Sequence, residues 1–184
     1  MKLTALAGQI WQWSLEREIT LTGEYLPGRM NTEADWESRH FDDKSSWKLD
    51  PEIFKHLMKI VGPCTVDLFA DRTNAQLSKY FSWKEDPHAQ ASDAMLQIWG
   101  DIIGYAFSPF CMITPSLAKV KVEKCHIVIV TPTWQTQPWY PPLLQMSIDF
   151  PVLIPMSPRT LTSPLGEVHP LIVNKTLQLA GWKK

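Results

Sequence analysis

Asp67, Asp71 and Asn74 crowd the end of a short apolar run at residues 66–70, within a stretch that reads Thr-Val-Asp-Leu-Phe-Ala-Asp-Arg-Thr-Asn. The run is rich in β-formers, follows the turn signal Gly62-Pro63 and gives way at once to polar residues, the pattern of a buried strand that ends in a polar loop. In an open α/β sheet, ligands bind in the crevice at the carboxyl ends of strands, so these side chains stand where a binding site is expected. Asp and Asn are also ordinary turn formers, and closing the loop accounts for Asp71 and Asn74 equally well.

Composition narrows the chemistry. The 184 residues have a hydrophobic fraction of 45%, enough for one ordinary domain with a core plus further pieces. A net charge of −1 leaves no electrostatic footprint for a phosphate backbone, so nucleic-acid binding requires a local patch or a neighbouring domain. Cys64, Cys111 and Cys125 lack Cys-x-x-Cys spacing, and the five histidines are scattered without metal-ligand spacing, so neither a disulfide framework nor a zinc site is indicated. No apolar run approaches a membrane span and no signal peptide opens the chain, which predicts a cytoplasmic or nuclear protein without a membrane partner.

The elements that must position these residues follow in order. Leu3, Leu6, Ala7, Ile10 and Trp11 recur at helical spacing, and Ile19, Leu21 and Gly23 then alternate as in a strand, which ends at Pro27-Gly28. A short helix carries Glu33, Ala34 and Asp35, where Asp35 suits the first-turn dipole. Residues 41–48 read as a linker pinned by Phe41 and Trp47. Asp50-Pro51-Glu52 starts a helix whose buried face holds Ile53, Phe54, Leu57, Met58 and either Ile60 or Val61. Apolar strands are expected at residues 105–110 and 127–130, with a helix over 115–124 between them that turns Leu117, Val120 and Ala118 inward. This order predicts an α/β layered fold with a largely parallel sheet over residues 49–155. Trp134, Trp139 and Tyr140 lie among prolines and serve either as an aromatic shelf for unpaired bases or, the preferred reading, as cover for the sheet edge. The prolines cluster after residue 130, and residues 156–184 read as a Pro-rich, poorly packed connector.

Residues 25–39, Tyr-Leu-Pro-Gly-Arg-Met-Asn-Thr-Glu-Ala-Asp-Trp-Glu-Ser-Arg, resemble the end of the ribonuclease H domain in retroelement polyproteins. The resemblance covers residues 1–40 and implies that Asp35 is one of several carboxylates holding Mg2+ for phosphodiester hydrolysis of an RNA–DNA hybrid. The upstream acids are missing from this sequence. Asp35 is thus an isolated catalytic residue that regains a metal site only beside upstream reverse transcriptase and ribonuclease H segments.

Residues 47–142 resemble the methyltransferase-like module that follows ribonuclease H in tyrosine-recombinase (DIRS-like) retroelements, similar in turn to phage-type DNA adenine N6-methyltransferases. The likeness rests on Trp47 with Asp50-Pro51, residues 66–70, Asn74-Ala75, residues 80–83, Asp93-Ala94, Trp99, residues 105–110, and Thr131 to Trp134 with Gln137 to Trp139. It implies a Rossmann-like methyltransferase-type sheet, with Asp67, Asp71 and Asn74 toward S-adenosylmethionine. Active families place Asp or Asn, Pro-Pro and an aromatic where this chain has Phe107, Ser108, Pro109 and Phe110. Losing the side-chain carbonyl at the reacting amine costs on the order of 3 kcal/mol of transition-state stabilisation unless Ser108 compensates. The expectation is a retroelement polyprotein fragment without chemistry of its own, structural or weakly nucleic-acid-associated. The rival is an active S-adenosylmethionine-dependent adenine methyltransferase acting on DNA, and a third reading is a domesticated protein binding a partner through its Trp-rich surface.

Overall fold

The computed structural model describes residues 10–20 and 46–184. The chain divides into two compact units, residues 1–41 and 42–184. In the first, residues 10–15 are helical, Ser14 Oγ donates to the Trp11 carbonyl at 2.8 Å, and the Arg17 guanidinium lies 4.6 Å from the centre of the Trp13 ring. Residues 19 and 20 carry no strand ladder, and the rest of the expected strand, the Pro-Gly turn and the Asp35 helix lie outside the described residues.

The second unit begins with β1 (Lys48–Leu49) and α1 (Pro51–Val61). The α1 start is as expected: Asp50 Oδ1 accepts the Glu52 and Ile53 amides at 2.8 and 3.3 Å, Pro51 opens the first turn, and Gly62 at φ 100° ends the helix. Phe54, Leu57 and Val61 are buried, whereas Ile60 faces solvent, which settles the choice between the last two. Short strands β2 (Val66–Asp67), β3 (Phe81–Ser82) and β4 (Ala91–Ser92) follow, then β5 (Ile103–Ala106), α2 (Ile113–Glu123) and β6 (His126–Pro132). Helix α2 starts earlier than expected, directly after a 3₁₀ turn at Phe110–Met112, and buries Ile113, Ser116, Leu117 and Val120 while Ala118 points outward. The remaining elements are α3 (Tyr140–Gln145), β7 (Val152–Leu153), β8 (Leu161–Thr162), α4 (Pro170–Val173) and β9 (Leu179–Lys183).

The main sheet has the order β2-β5-β6-β9-β7. Strands β2, β5 and β6 are parallel, β9 runs antiparallel between β6 and β7, and the sheet is therefore mixed. On the other side of β2, a parallel bridge from Asp67 to Tyr80 brings in the parallel β3–β4 pair. The Asp67 amide donates to the Lys79 carbonyl at 2.9 Å and the Ala70 amide to the Phe81 carbonyl at 3.2 Å. Strand alternation splits the core into two layers. Val66, Ala106, Ile127 and Ile129 pack with α2, and Tyr105, Val128 and Val130 pack with α1.

Residues 156–184 correct the expectation of a poorly packed tail. Strand β9 pairs residue by residue with β6 from Val128–Lys183 to Pro132–Leu179, and Leu179, Ala180 and Trp182 are buried. Helix α1 lies close on it: a Cβ at Gly181 would come within 2.6 Å of Leu57 Cδ1. Prolines punctuate this segment without excluding a strand, because the ladder residues 179–183 contain none. Of the expected linker at residues 41–48 only residues 46–48 are described, and there Lys48 pairs antiparallel with Thr162. Among the described residues no helix is long and apolar enough to cross a membrane.

Candidate functional site

Strand connections leave β2 in one direction toward β3 and β4, and β5 in the other toward β6, so the strand order reverses between β2 and β5. Such a reversal opens a crevice at the carboxyl ends of the two strands. A cleft does lie there, with polar walls from Asp67, Asn74, Gln76 and Tyr105 and apolar walls from Trp47, Leu49, Phe69 and Phe107. Its volume is about 10 Å³, room for about one water.

Asp67 is the buried polar centre. Its carboxylate accepts the Gln76 amide at 3.0 Å, and burial raises its pKa to about 7 despite that bond. The Tyr105 hydroxyl is buried beside it with no hydrogen-bond partner among the described residues, and burial together with the Asp67 and Cys64 charges pushes its pKa well up. Burial also raises the Cys64 thiol to about 11, so the thiol is no nucleophile at neutral pH.

Asp71 and Asn74 are turn residues here. Asp71 Oδ1 accepts the Thr73 and Asn74 amides at 2.7 and 3.2 Å and the Thr73 hydroxyl, while Asn74 Oδ1 accepts the Asp71 amide at 2.7 Å. Asp71 Oδ2 accepts the Ser46 hydroxyl at 2.6 Å. Burial alone would raise the Asp71 pKa, but these donors outweigh it and hold the carboxyl below its usual value. Of the two carboxylates, Asp71 is enclosed by donors in its own loop, whereas Asp67 lines the crevice and accepts the Gln76 backbone amide.

Residues 46–49 form a strap across the crevice. Besides the Ser46–Asp71 bond, Lys48 Nζ donates to the Ala75 carbonyl at 3.1 Å, Gln76 Nε2 donates to the Leu49 carbonyl, and the Trp47 ring packs 4.5 Å from the His169 ring at 59°. Trp47, Gln76 and Tyr105 were not singled out from the sequence as site residues. Trp47 had a signal as the pin of a polar segment, whereas the reach of Gln76 to Leu49 depends on tertiary structure alone.

The end of β5 divides between the two sides of the sheet. Tyr105 packs on the α1 side with Phe107, which lines the crevice, while Ala106 belongs to the α2 side. Ser108 is buried with its hydroxyl unpartnered among the described residues, and Pro109 leads into the 3₁₀ turn that begins at Phe110. Phe110 meets Trp134 edge to face at 5.2 Å. Trp139 is buried, and Tyr140 packs edge-on to Trp182 at 5.9 Å, so these two aromatics cover the sheet.

Asp35 and any Mg2+ site built on it lie outside the described residues. Among the described residues no group of three or more His, Cys, Asp or Glu could hold a metal ion. The crevice has room for about one water, whereas sites for ligands the size of S-adenosylmethionine occupy roughly 300–1,000 Å³, and Trp47 and Phe107 are among its walls. What the fold and crevice define is a mixed α/β protein whose mixed sheet carries a small cleft at the ends of β2 and β5. No protein-family model and no curated protein sequence matches the chain.

Proposed function

We propose that this chain is a fragment of a retrotransposon replication polyprotein in which residues 46–184 form a degenerate, Rossmann-like methyltransferase-type module. In this reading the module performs no methyl transfer. It acts as a structural body beside nucleic acid that the parent polyprotein, with its reverse transcriptase and ribonuclease H segments, binds. The retroelement assignment rests on residues 25–39 and 47–142 of the sequence, and the reversal of strand order between β2 and β5 is in keeping with a Rossmann-like sheet.

One observation carries the loss of chemistry. Where adenine methylation needs a side-chain carbonyl to accept from the exocyclic amine, Phe107 lines the crevice, and Ser108 is not among the residues that form its walls. Ser108 therefore supplies no substitute acceptor at the same place. A missing transition-state acceptor is worth on the order of 3 kcal/mol, roughly a hundredfold or more in rate.

The test is incorporation of label from S-adenosylmethionine into adenine-containing single- and double-stranded DNA at high protein concentration. No incorporation is expected. Incorporation that disappears in Pro109→Ala and Phe110→Ala would establish the rival, an active adenine N6-methyltransferase.

A further inference from the structure

The α2 side of the sheet holds two buried hydroxyls that the crevice does not use. Strand β5 ends at Ala106, which pairs in parallel with Ile129 of β6. Two residues further along each chain come Ser108 and Thr131, and residues two apart in extended chain share a face. Ser108 precedes Pro109, which keeps it extended. The same register carried on past Ala106 and Ile129 would bring both hydroxyls to the α2 layer at neighbouring strand ends. Ser108 is 3% exposed and Thr131 0%, and neither oxygen has a hydrogen-bond partner among the described residues. Ser116, buried in the same layer, shows the contrast, since its hydroxyl donates to the Met112 carbonyl at 2.7 Å.

A buried hydroxyl without a partner is unfavourable, and native proteins commonly relieve it with an internal water bonded to two to four polar groups. Neighbouring strands lie about 4.8 Å apart, a gap one water spans when each bond is about 2.8 Å. Both groups are neutral, which suits water better than an ion. Trp182 Nε1 is also unpartnered, but Trp182 pairs with Ile129 and so stands one step back from the pair.

We infer that Ser108 Oγ and Thr131 Oγ1 together bind one internal water, which fastens the 107–110 turn to the end of β6. This holds whether or not the module is a relic of a methyltransferase, because it depends on the strand ends alone. The test is thermal unfolding of the full chain and of Ser108→Ala, Thr131→Val and the double variant, together with a crystal structure of the unaltered protein. Each single variant should lower Tm by roughly 2–4 °C, and the double variant by less than the sum. Thr131→Ser, which keeps the hydroxyl, should preserve the coupling to Ser108, and the crystal should show a water within hydrogen-bond distance of both oxygens. Tm values that stay level or rise in the two single variants, additive effects, or no water between the hydroxyls would overturn the inference.

Discussion

The loops that follow β2 and β5 sit side by side at the same end of the sheet, yet they treat their polar groups in opposite ways. After β2, the Asp71 carboxylate accepts from Ser46, Thr73 and Asn74, and the Asn74 side chain answers with a bond to the Asp71 amide. At the end of β5 and just beyond it, Phe107 lines the crevice and the hydroxyls of Tyr105 and Ser108 find no partner among the described residues. Polar residues at a strand end are thus poor markers of a ligand site when they bond to one another. Buried groups with spare hydrogen-bonding capacity are the better markers, and here those are Asp67, Tyr105 and Ser108.

Both loops stand on a sheet completed by β9, and removing its largest buried side chain should weaken them together. Trp182→Ala is expected to cost roughly 3–5 kcal/mol in denaturant unfolding. A loss under 1 kcal/mol would mean that the last strand is not integral to the body. The next largest effect concerns Asp67. The unfolded chain releases this proton near pH 4, whereas the folded protein keeps it until about pH 7. Stability therefore falls as pH rises through that window and is level above it, by about 4 kcal/mol at roughly 1.4 kcal/mol per pH unit. Asp67→Asn should flatten the profile and be the more stable protein at pH 8, with the Asn amide donating to the Tyr105 hydroxyl. A variant less stable than the parent at pH 8 would contradict this.

Smaller effects separate the two loops. Asp71→Ala removes the acceptor at the centre of the β2 loop and should cost about 1–2 kcal/mol in thermal unfolding. It should also loosen the strap, seen as faster amide exchange at residues 46–49. An unchanged exchange rate there would show that the Ser46–Asp71 bond does not hold the strap. Lys55→Ala, at the exposed pair with Glu52 in α1, should leave the unfolding midpoint essentially unchanged. It calibrates what an isolated surface contact is worth against the buried groups.

Much of this body was legible in the sequence where local chemistry sufficed. Asp50-Pro51 before an apolar helical stripe and the β-branched run at 127–130 each specify an element through capping or periodicity. The tail was misread because Leu179-Ala180-Gly181-Trp182 is too short and too mixed to show strand alternation, and only its place between β6 and β7 makes it a strand. The site divided in the same way. Asp67 follows from its position at a strand end, and the turn role of Asp71 and Asn74 was one of two readings open from their types. The strap, the Tyr105 hydroxyl beside Asp67 and the Ser108–Thr131 pair depend on contacts between distant parts of the chain.

The crevice at the ends of β2 and β5 has room for about one water, and the proposed loss of chemistry implies that no methyl donor binds there. The decisive measurement is equilibrium titration of S-adenosylmethionine into the full chain. No saturable binding is expected up to millimolar ligand. Saturable binding that Asp67→Asn abolishes would contradict it, showing that the strap and Phe107 move aside and that the crevice is a cofactor site.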